Sequence, residues 1–437
     1  MTGTDGGPAA AVPGVGDPVE DPCLTLWRWA RDSAEAADGA TLERAAGCVA
    51  AAVTDMVLSA RVSRHRAAAA ALAGAPGACT VSGLPERAAM AGAVLANAYL
   101  MHARLTDDSF RVAAHPGLAV VPVALAAAED TAHRTGRPVD GARLLRAVVG
   151  GYECACRLAD RLLPEVSHRG WRVTSMIAPA AAAATMALTL GLPDEDATAA
   201  LGLASSAGGG PLGVVSAAGD AWRLQPALAV QAGVSAAVAA MAGLRGGTGA
   251  LAGPHGLYGL FGDGAEAWPR ARGAAVHHVT FKRYPVAMYG QSIFDAFRGR
   301  SPVSGSAERV TVRVAPFAAG YGGGQKASAD SISSVEGIVL AAVREFHPDL
   351  RTNAASIAVI GDPALPDLTA RIDVVLSDGR RLALVGDGDT SGWEPADFER
   401  HCTRSLGDAG ASLCRSAAAL PEQGDVSRLF ASWRAAR

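Results

Sequence analysis

Apolar residues recur at helical spacing through most of the chain up to about residue 270. In "DGARLLRAVVGGYECACRLADRLL" (residues 140–163), Leu144, Val148 and Tyr152 share one helical face, and the opening aspartate suits the N-cap position. The glycine pair at 150–151 would weaken an isolated helix, so it indicates that another helix passes close by. This segment therefore predicts a buried helix.

A second helix is predicted in "LPDEDATAALGLASSAGGG" (residues 192–210). Pro193 and the three acids after it suit the positive end of a helix dipole, and the segment ends in three glycines, where the helix is expected to stop.

Two apolar stretches, which begin at Met176 and Pro226, approach the length of a membrane span. Alanine supplies most of their apolarity, and Pro179, Gln231 and Gly233 interrupt them. They are more typical of helices buried in a soluble protein, so no membrane association is expected.

The pattern changes to alternation after about residue 274. Residues 308–316 and 370–385 alternate apolar and polar positions, and Ser377-Asp378-Gly379 marks a turn inside the second segment. "SISSVEGIVLAAVREF" between them predicts a helix. The chain is thus predicted to be mainly α, with a large all-α domain (21–274) and a smaller α/β lid domain (275–400).

The two ends of the chain are predicted to differ. Residues 401–437 read as helical and are expected to pack back on the all-α domain. Residues 1–20 are rich in Gly and Pro and contain no Lys or Arg, so they predict a disordered tail without the basic start of a signal peptide.

Composition excludes several function classes. Of the 437 residues, 50% are hydrophobic, so the chain can bury a large core. The net charge of -3 leaves no excess of cations to bind nucleic acid. Seven scattered cysteines form no disulfide framework, which favours reduced thiols and a cytoplasmic location. A small molecule is the expected partner.

Common cofactor and nucleophile motifs are absent from the sequence, including GxGxxG after a strand, HExxH and GxSxG. "GYGGGQKAS" (320–328) imitates a phosphate-binding loop but lacks the Gly-Lys-Ser/Thr ending, and a flexible loop near a ligand is the better interpretation. Adjacent His277 and His278 on a strand would point to opposite faces, so no metal site is expected there.

One short stretch concentrates titratable groups. "NAYLMHARLTDDSFRVAAHPG" (97–117) resembles the Asn…His-Ala-Leu-Asp-Phe-Asp-Asp-Thr…His-Pro-Gly segment of the MmgE/PrpD family, which includes 2-methylcitrate dehydratase, cis-aconitate decarboxylase and iminodisuccinate epimerase. Further stretches agree in the same order, among them "GWRVTSMIAPAAAAATMALTLGL" and "VTFKRYPVAMYGQSIFDAF". The resemblance covers about residues 25–400. It implies a helical domain with an α/β lid, a homodimer, an active site between the domains, and no metal or organic cofactor.

The resemblance also implies roles for individual residues. His115 matches the His-Pro-Gly histidine and suits a base that removes a proton next to a carboxylate, because an ordinary imidazole titrates near neutral pH. Lys282 matches a pocket lysine that can act on a carboxylate or an enolate. Asp108 and Ser109 complete the expected catalytic set, with capping or loop structure as the alternative role. The expected substrate-binding residues are His102, Asp107, Arg172, Trp222, Arg223, Tyr289 and Tyr321.

Several positions depart from the family pattern. Leu105 replaces an aspartate, Arg172 a histidine, Trp222 a lysine and Gln225 a histidine, and Ala287 stands where relatives carry histidine or cysteine. Each lost carboxylate partner should remove about 2 kcal/mol of binding. A tricarboxylate is therefore disfavoured, and a larger, less charged acid or enolisable carbonyl is favoured.

Three functions follow from the sequence. The first is a cofactor-independent lyase or isomerase that acts by proton abstraction, as a tailoring step in a specialised pathway rather than in methylcitrate dehydration. The second is a binding or scaffold protein that kept the fold and lost the chemistry. The third, a module for nucleic acid or membrane, is disfavoured by the charge.

Overall fold

The computed structural model describes residues 21–216, 219–262, 273–321, 333–422 and 425–437. It confirms a mainly α protein with a smaller α/β part. The phosphate-loop-like segment and the tail at 1–20 lie outside the described residues, apart from Gly320 and the backbone of Tyr321.

The first part of the chain is helical. It comprises α1 (Pro22–Glu35), α2 (Gly39–Ala60), α3 (Ser63–Ala73), the short strand β1 (Pro76–Cys79), α4 (Met90–His102), α5 (Gly117–Thr135), α6 (Gly141–Leu162), α7 (Glu165–His168), α8 (Val173–Leu190), α9 (Asp194–Ser205), α10 (Gly213–Ser216), α11 (Ala221–Met241) and α12 (Leu257–Phe261).

Local chemistry sets where these helices begin. The carboxylates of Asp38 and Asp140 accept hydrogen bonds from backbone N–H groups in the first turns of α2 and α6, as expected of N-caps. The glycine pair of α6 confirms the predicted close approach, since a Cβ on Gly150 would lie 2.3 Å from Leu188 and one on Gly151 would lie 2.1 Å from Thr185. Both of these neighbours belong to α8, which therefore crosses α6 at the two glycines.

The apolar helices α8 and α11 are long and apolar enough to cross a membrane by length and composition. In this structure 89% of the apolar 18-residue stretch of α8 is buried inside the protein, whereas 50% of the corresponding stretch of α11 is buried. Exposed apolar side chains on and just beyond α11 include Leu228, Val238, Met241 and Leu244.

The α/β part follows α12. It comprises α13 (Gln291–Arg298), β2 (Gly305–Val314), α14 (Pro316–Tyr321), α15 (Val335–Phe346), β3 (Leu350–Arg351), β4 (Ile357–Gly361), β5 (Thr369–Leu376) and β6 (Arg381–Asp387). The sheet order is β3-β2-β5-β6, with β4 also paired to β2. The predicted turn joins the antiparallel strands β5 and β6, and Gly379 adopts a φ of 86° there.

The chain ends in α16 (Pro395–Leu406), α17 (Asp408–Ala418) and α18 (Ser427–Ala435). Trp433 of α18 donates its indole N–H to the Ser82 hydroxyl over 2.8 Å, and Arg434 lies 3.1 Å from the buried Glu129 of α5. These contacts hold the last helix against the helical part of the protein.

Candidate active site

A loop between α4 and α5, residues 103–116, forms the floor of the candidate site. Ser109 and Thr280 exchange two backbone hydrogen bonds of 2.8 Å, which bring the segment 279–282 against this loop. Arg44 of α2 holds the same segment, because its guanidinium donates to the carbonyls of Val276 and Val279. Residues far apart in the sequence meet here.

The loop contains backbone strain. Leu105, Arg111 and Val112 have φ angles of 56°, 45° and 68°, a region that side chains with a Cβ rarely adopt. Leu105 and Val112 are buried in the apolar cluster of the α/β part, so packing holds the strained turns in place. Leu105 therefore supplies an apolar contact where the family pattern has a carboxylate.

Asp107 lies at the centre of the site and is fully buried. One carboxylate oxygen, Oδ2, accepts from His102 Nδ1 over 2.7 Å, and the other, Oδ1, lies 3.1 Å from Lys282 Nζ. Lys282 also donates to the Asp107 carbonyl. Burial alone would raise the pKa of Asp107, but His102, Lys282 and His115 outweigh it and hold that pKa well below its usual range.

His115 has one nitrogen fixed and one unpartnered among the described residues. Its Nδ1 lies 2.8 Å from the Asp108 carbonyl, which can only accept, so Nδ1 carries the proton and Nε2 carries the lone pair. Lys282 Nζ lies 3.4 Å from the same Nδ1. Burial, reinforced by the Lys282 charge, holds the pKa of His115 well below its ordinary value, so the imidazole is neutral at neutral pH.

Both ring nitrogens of His102 have hydrogen-bond partners. Its Nδ1 donates to Asp107, and its Nε2 accepts from Arg172 over 2.6 Å. Arg172 is itself held by the Trp222 carbonyl at 2.5 Å, and the Trp222 ring lies edge-on to His102 with centroids 5.4 Å apart. Burial lowers the pKa of His102, and the positive charge of Arg172 contributes in the same direction. His102 therefore orients Asp107 and has no lone pair left for a substrate.

Asp108 points away from the imidazoles. Its carboxylate accepts from Tyr152 Oη over 2.6 Å and from the Gly117 N–H over 3.0 Å. Burial raises the pKa of Asp108 to about 7, against the opposing effect of the Tyr152 hydrogen bond. Asp108 thus fixes the start of α5 with its side chain and His115 with its carbonyl.

The remaining residues expected in the site have other contacts. The Ser109 hydroxyl donates to the Val112 carbonyl over 2.9 Å, and Arg223 donates to the Ala103 carbonyl over 2.8 Å. Tyr289 is buried in the α/β part and donates to the Ser333 carbonyl. The side chain of Tyr321 lies outside the described residues.

Lys282 is buried, with only 1% of its surface exposed. One sequence expectation about local structure was wrong. His277 and His278 lie in a 3-10 turn (Ala275–His278) rather than on a strand, and His277 Nε2 contacts the Thr41 hydroxyl at 3.2 Å. Among the described residues no group of three or more His, Cys, Asp or Glu side chains is placed to hold a metal ion.

Comparison with known proteins shows the family of the chain. The family model of the MmgE/PrpD N-terminal domain matches residues 34–269, which is more than half of the chain. The chain belongs to the MmgE/PrpD family. A cis-aconitate decarboxylase-like protein of Aspergillus oryzae is 30% identical over 166 residues, a match that covers 37% of this chain and 34% of that protein.

Sequence reasoning missed two residues that shape this MmgE/PrpD site. Tyr152 was recognised only as part of a helical face, yet its hydroxyl binds Asp108. Thr174, in the first turn of α8, accepts a hydrogen bond from the His115 backbone N–H over 3.3 Å. Nothing in the sequence singles out either residue, because Tyr152 is followed by Glu153 and Thr174 by Ser175, in segments that contain other polar side chains.

Proposed function

We propose that this protein is a cofactor-independent enzyme that removes a proton next to the carboxylate or carbonyl of an organic acid, with His115 as the base. The observation that carries this is the neutral His115 imidazole, whose Nδ1–H is fixed on the Asp108 carbonyl while Nε2 keeps its lone pair. Positioned general bases of this kind contribute roughly 10²–10⁴-fold to a rate.

The chemical step is a transfer of one proton. The Cα–H bond of the substrate breaks, its electron pair moves into the adjacent carbonyl to give an enolate, and His115 Nε2 gains the proton. The imidazolium then either protonates a hydroxide that leaves the neighbouring carbon, so that water departs and a double bond forms, or returns the proton to the enolate at another position, which gives an isomer. Decarboxylation needs no Cα–H removal: the bond between the substrate carbon and its carboxylate breaks, carbon dioxide leaves, and His115 in its protonated form donates the Nε2 proton to the carbanion that remains. Dehydration and isomerisation therefore use His115 as the base, and decarboxylation uses it as the acid.

Lys282 supports this step as a positioning residue. Its described contacts are all with Asp107 and His115, and its side chain is buried, which favours a positioning role over direct contact with substrate. Its charge keeps His115 unprotonated, so the base is available throughout the neutral range. Asp107 compensates that charge.

We infer a substrate with fewer carboxylates than methylcitrate. Trp222 and Gln225 stand where the family pattern has a lysine and a histidine, so two groups that could bind a carboxylate are missing, and the guanidinium of Arg172 is engaged with His102 and the Trp222 carbonyl. Methylcitrate and cis-aconitate should therefore leave the melting temperature unchanged, whereas a clear rise with either would reverse this inference.

The experiment that tests the function is proton NMR in deuterium oxide with a panel of mono- and dicarboxylic acids and β-dicarbonyl compounds. Wild-type protein should exchange an α-proton of at least one compound, and His115→Ala should not. His133→Ala, at an exposed histidine near the end of α5, is the matched control and should behave as wild type. Exchange that persists in His115→Ala would refute the assignment of the base.

A binding or scaffold protein is the second candidate. The contact of Arg172 with His102 Nε2 favours it, because this contact occupies an imidazole nitrogen that a substrate would otherwise meet. Failure of every compound to exchange, combined with ligand-induced stabilisation, would support this reading. A homodimer, a cytoplasmic location and a role in a specialised pathway are further proposals, and sedimentation measurements test the first of them.

A further inference from the structure

The position of the proton on the His115 ring depends on two groups that compete for the same nitrogen. The Asp108 carbonyl lies 2.8 Å from His115 Nδ1 and can only accept a hydrogen bond, whereas the Lys282 ammonium lies 3.4 Å from it and can only donate. The carbonyl therefore favours a proton on Nδ1 and a lone pair on Nε2, and the ammonium favours the reverse. Only the first tautomer provides the Nε2 base of the proposed mechanism.

The surroundings of Nδ1 show what would follow if the Asp108 carbonyl turned away. The remaining neighbours are Lys282 Nζ at 3.4 Å and Asp107 Oδ2 at 3.7 Å, and Oδ2 already accepts from His102 over 2.7 Å. Lys282 itself donates to the Asp107 carbonyl. Carbonyls of two consecutive residues thus receive the two donors, and the orientation of the Asp108 carbonyl decides which tautomer His115 adopts.

The side chain of Asp108 holds this carbonyl in place. Its Oδ1 accepts from the Gly117 N–H over 3.0 Å, and its Oδ2 is bonded to Tyr152 Oη over 2.6 Å. Asp108 therefore contacts both ends of the His-Pro-Gly turn, with its carbonyl on His115 and its carboxyl on Gly117. A rotation of the Asp108 backbone would have to break these side-chain bonds.

Tyr152 ties the arrangement to α6. Its side chain is fully buried, so it lies out of reach of a substrate. A tyrosine hydroxyl can donate to a carboxylate and accept from a carboxylic acid, so its bond to Asp108 persists in both ionisation states of that carboxyl. The Cys48 thiol of α2 also faces this hydroxyl, but sulfur is a weaker acceptor than oxygen. Asp108 is therefore the preferred partner of Tyr152.

We propose that Tyr152 is a positioning residue that sets the tautomer of His115: by holding the Asp108 carboxyl it keeps the Asp108 carbonyl on Nδ1 and leaves the lone pair of Nε2 for the substrate. Without the Tyr152 hydroxyl, the Asp108 carboxyl keeps one of its two anchors, and Lys282 competes for Nδ1. The effect on turnover rests on the proposed function, whereas the tautomer of His115 does not.

The test is ¹⁵N NMR of the imidazole nitrogens in protein labelled at histidine, with the His115 signals assigned by their loss in His115→Ala. Tyr152→Phe removes the hydroxyl and keeps the ring. Tyr99→Phe is the matched control, because it also removes a buried hydroxyl, which contacts His65 Nδ1 over 2.9 Å. Wild type and Tyr99→Phe should carry the His115 proton on Nδ1, and Tyr152→Phe should show a mixture of the two tautomers.

Rates of α-proton exchange give a second readout, measured over a range of concentrations of any acid in the panel that wild type exchanges. Because Tyr152 is buried away from the substrate, Tyr152→Phe should leave KM unchanged. Its kcat should fall at least about twofold, in step with the fraction of His115 that loses the Nδ1–H form. Tyr99→Phe should keep both constants.

Two results would overturn the proposal: a His115 tautomer in Tyr152→Phe identical to that of wild type, or the same mixture in Tyr99→Phe. Should Tyr152→Phe fail to fold, Gly117→Ala gives a second test, because its Cβ would lie 2.6 Å from Tyr152 Oη and would push the hydroxyl away from Asp108. A single Nδ1–H tautomer in Gly117→Ala would then refute the proposal.

The same data separate this inference from the proposed function. Wild type that exchanges no compound, together with a tautomer mixture in Tyr152→Phe, would contradict the function and leave this inference standing. Exchange by wild type with an unchanged tautomer in Tyr152→Phe would contradict this inference alone.

Discussion

Replacing the glycine of His-Pro-Gly tests the architecture of the site directly. Gly117 is the first residue of α5, and a Cβ there would lie 2.6 Å from Tyr152 Oη and 2.7 Å from each carboxylate oxygen of Asp108. Real Cβ contacts are essentially never shorter than 3.0 Å, so one of these groups must move. Tyr152 and Asp108 are both buried and bonded to each other, which leaves them little room to retreat.

The magnitude follows from these contacts. Overpacking a tight core costs about 1–3 kcal/mol. Loss of the hydrogen bond from Gly117 N–H to Asp108 adds about 0.5–1.5 kcal/mol when the carboxyl is in its acid form and about 1.5–3 kcal/mol when it is ionised. Against these costs, replacing glycine by alanine at a helix position gains at most about 1 kcal/mol. Gly117→Ala should therefore lose about 2–4 kcal/mol of the free energy of unfolding.

Urea-induced unfolding is the assay, and the chain offers a closely matched control. Gly39 is the first residue of α2, and a Cβ there meets nothing within 4 Å. Gly39→Ala should unfold at the wild-type urea concentration or slightly above it, while Gly117→Ala should unfold at a clearly lower one. Because Asp108 also holds His115, α-proton exchange should fall by about a hundredfold if the imidazole moves by about 1 Å. Equal stability of the two variants would show that the contacts around Gly117 are looser than described.

Three further predictions concern the charged groups. Asp107→Asn leaves the buried Lys282 ammonium without its carboxylate and should lower the free energy of unfolding in urea by about 3–5 kcal/mol. The double variant with Lys282→Met should recover part of that loss, and additive effects of the two substitutions would contradict the pairing. Asp108 keeps its proton to about pH 7 in the folded protein, so between about pH 4 and pH 7 it makes the free energy of unfolding fall with rising pH, by up to about 1.4 kcal/mol per pH unit. Asp108→Asn should flatten that slope, and an unchanged slope would count against the raised pKa of Asp108. Arg172→Ala should raise the pKa of His102, as followed by NMR of the imidazole, because one of the cations that lower it is removed; no shift would place Arg172 outside the network.

Periodicity was enough to predict several helices and the hairpin of the sheet. The alternation in 370–385 and its Asp-Gly turn correspond to β5 and β6, and the acidic start at 194–196 corresponds to the first turn of α9. These features are local, since each depends on residues only a few positions apart. The same reasoning failed at His277 and His278, where a short turn at the junction of the two parts replaced the expected strand.

The site was accessible only through resemblance. Residue spacing cannot show that Lys282 meets Asp107, because the pairing of Ser109 with Thr280 and the anchoring by Arg44 bring these segments together across the fold. A lysine after a strand-like pattern likewise gives no local sign of the carboxylate that compensates its charge.

Charge balance in the site connects these findings to the substrate. Lys282 and Arg172 contribute two positive charges, and Asp107 contributes one negative charge next to imidazoles that are neutral. With Asp108 in its acid form the site has one surplus positive charge, and with Asp108 ionised it has none. Uncompensated charge in a buried site is costly, so such a site favours a ligand that brings one carboxylate, or a carbonyl on which one negative charge develops as the proton leaves. A tricarboxylate would leave at least two charges uncompensated, and the replacement of a family lysine by Trp222 and of a family histidine by Gln225 acts in the same direction, because both changes remove a group that could bind a carboxylate.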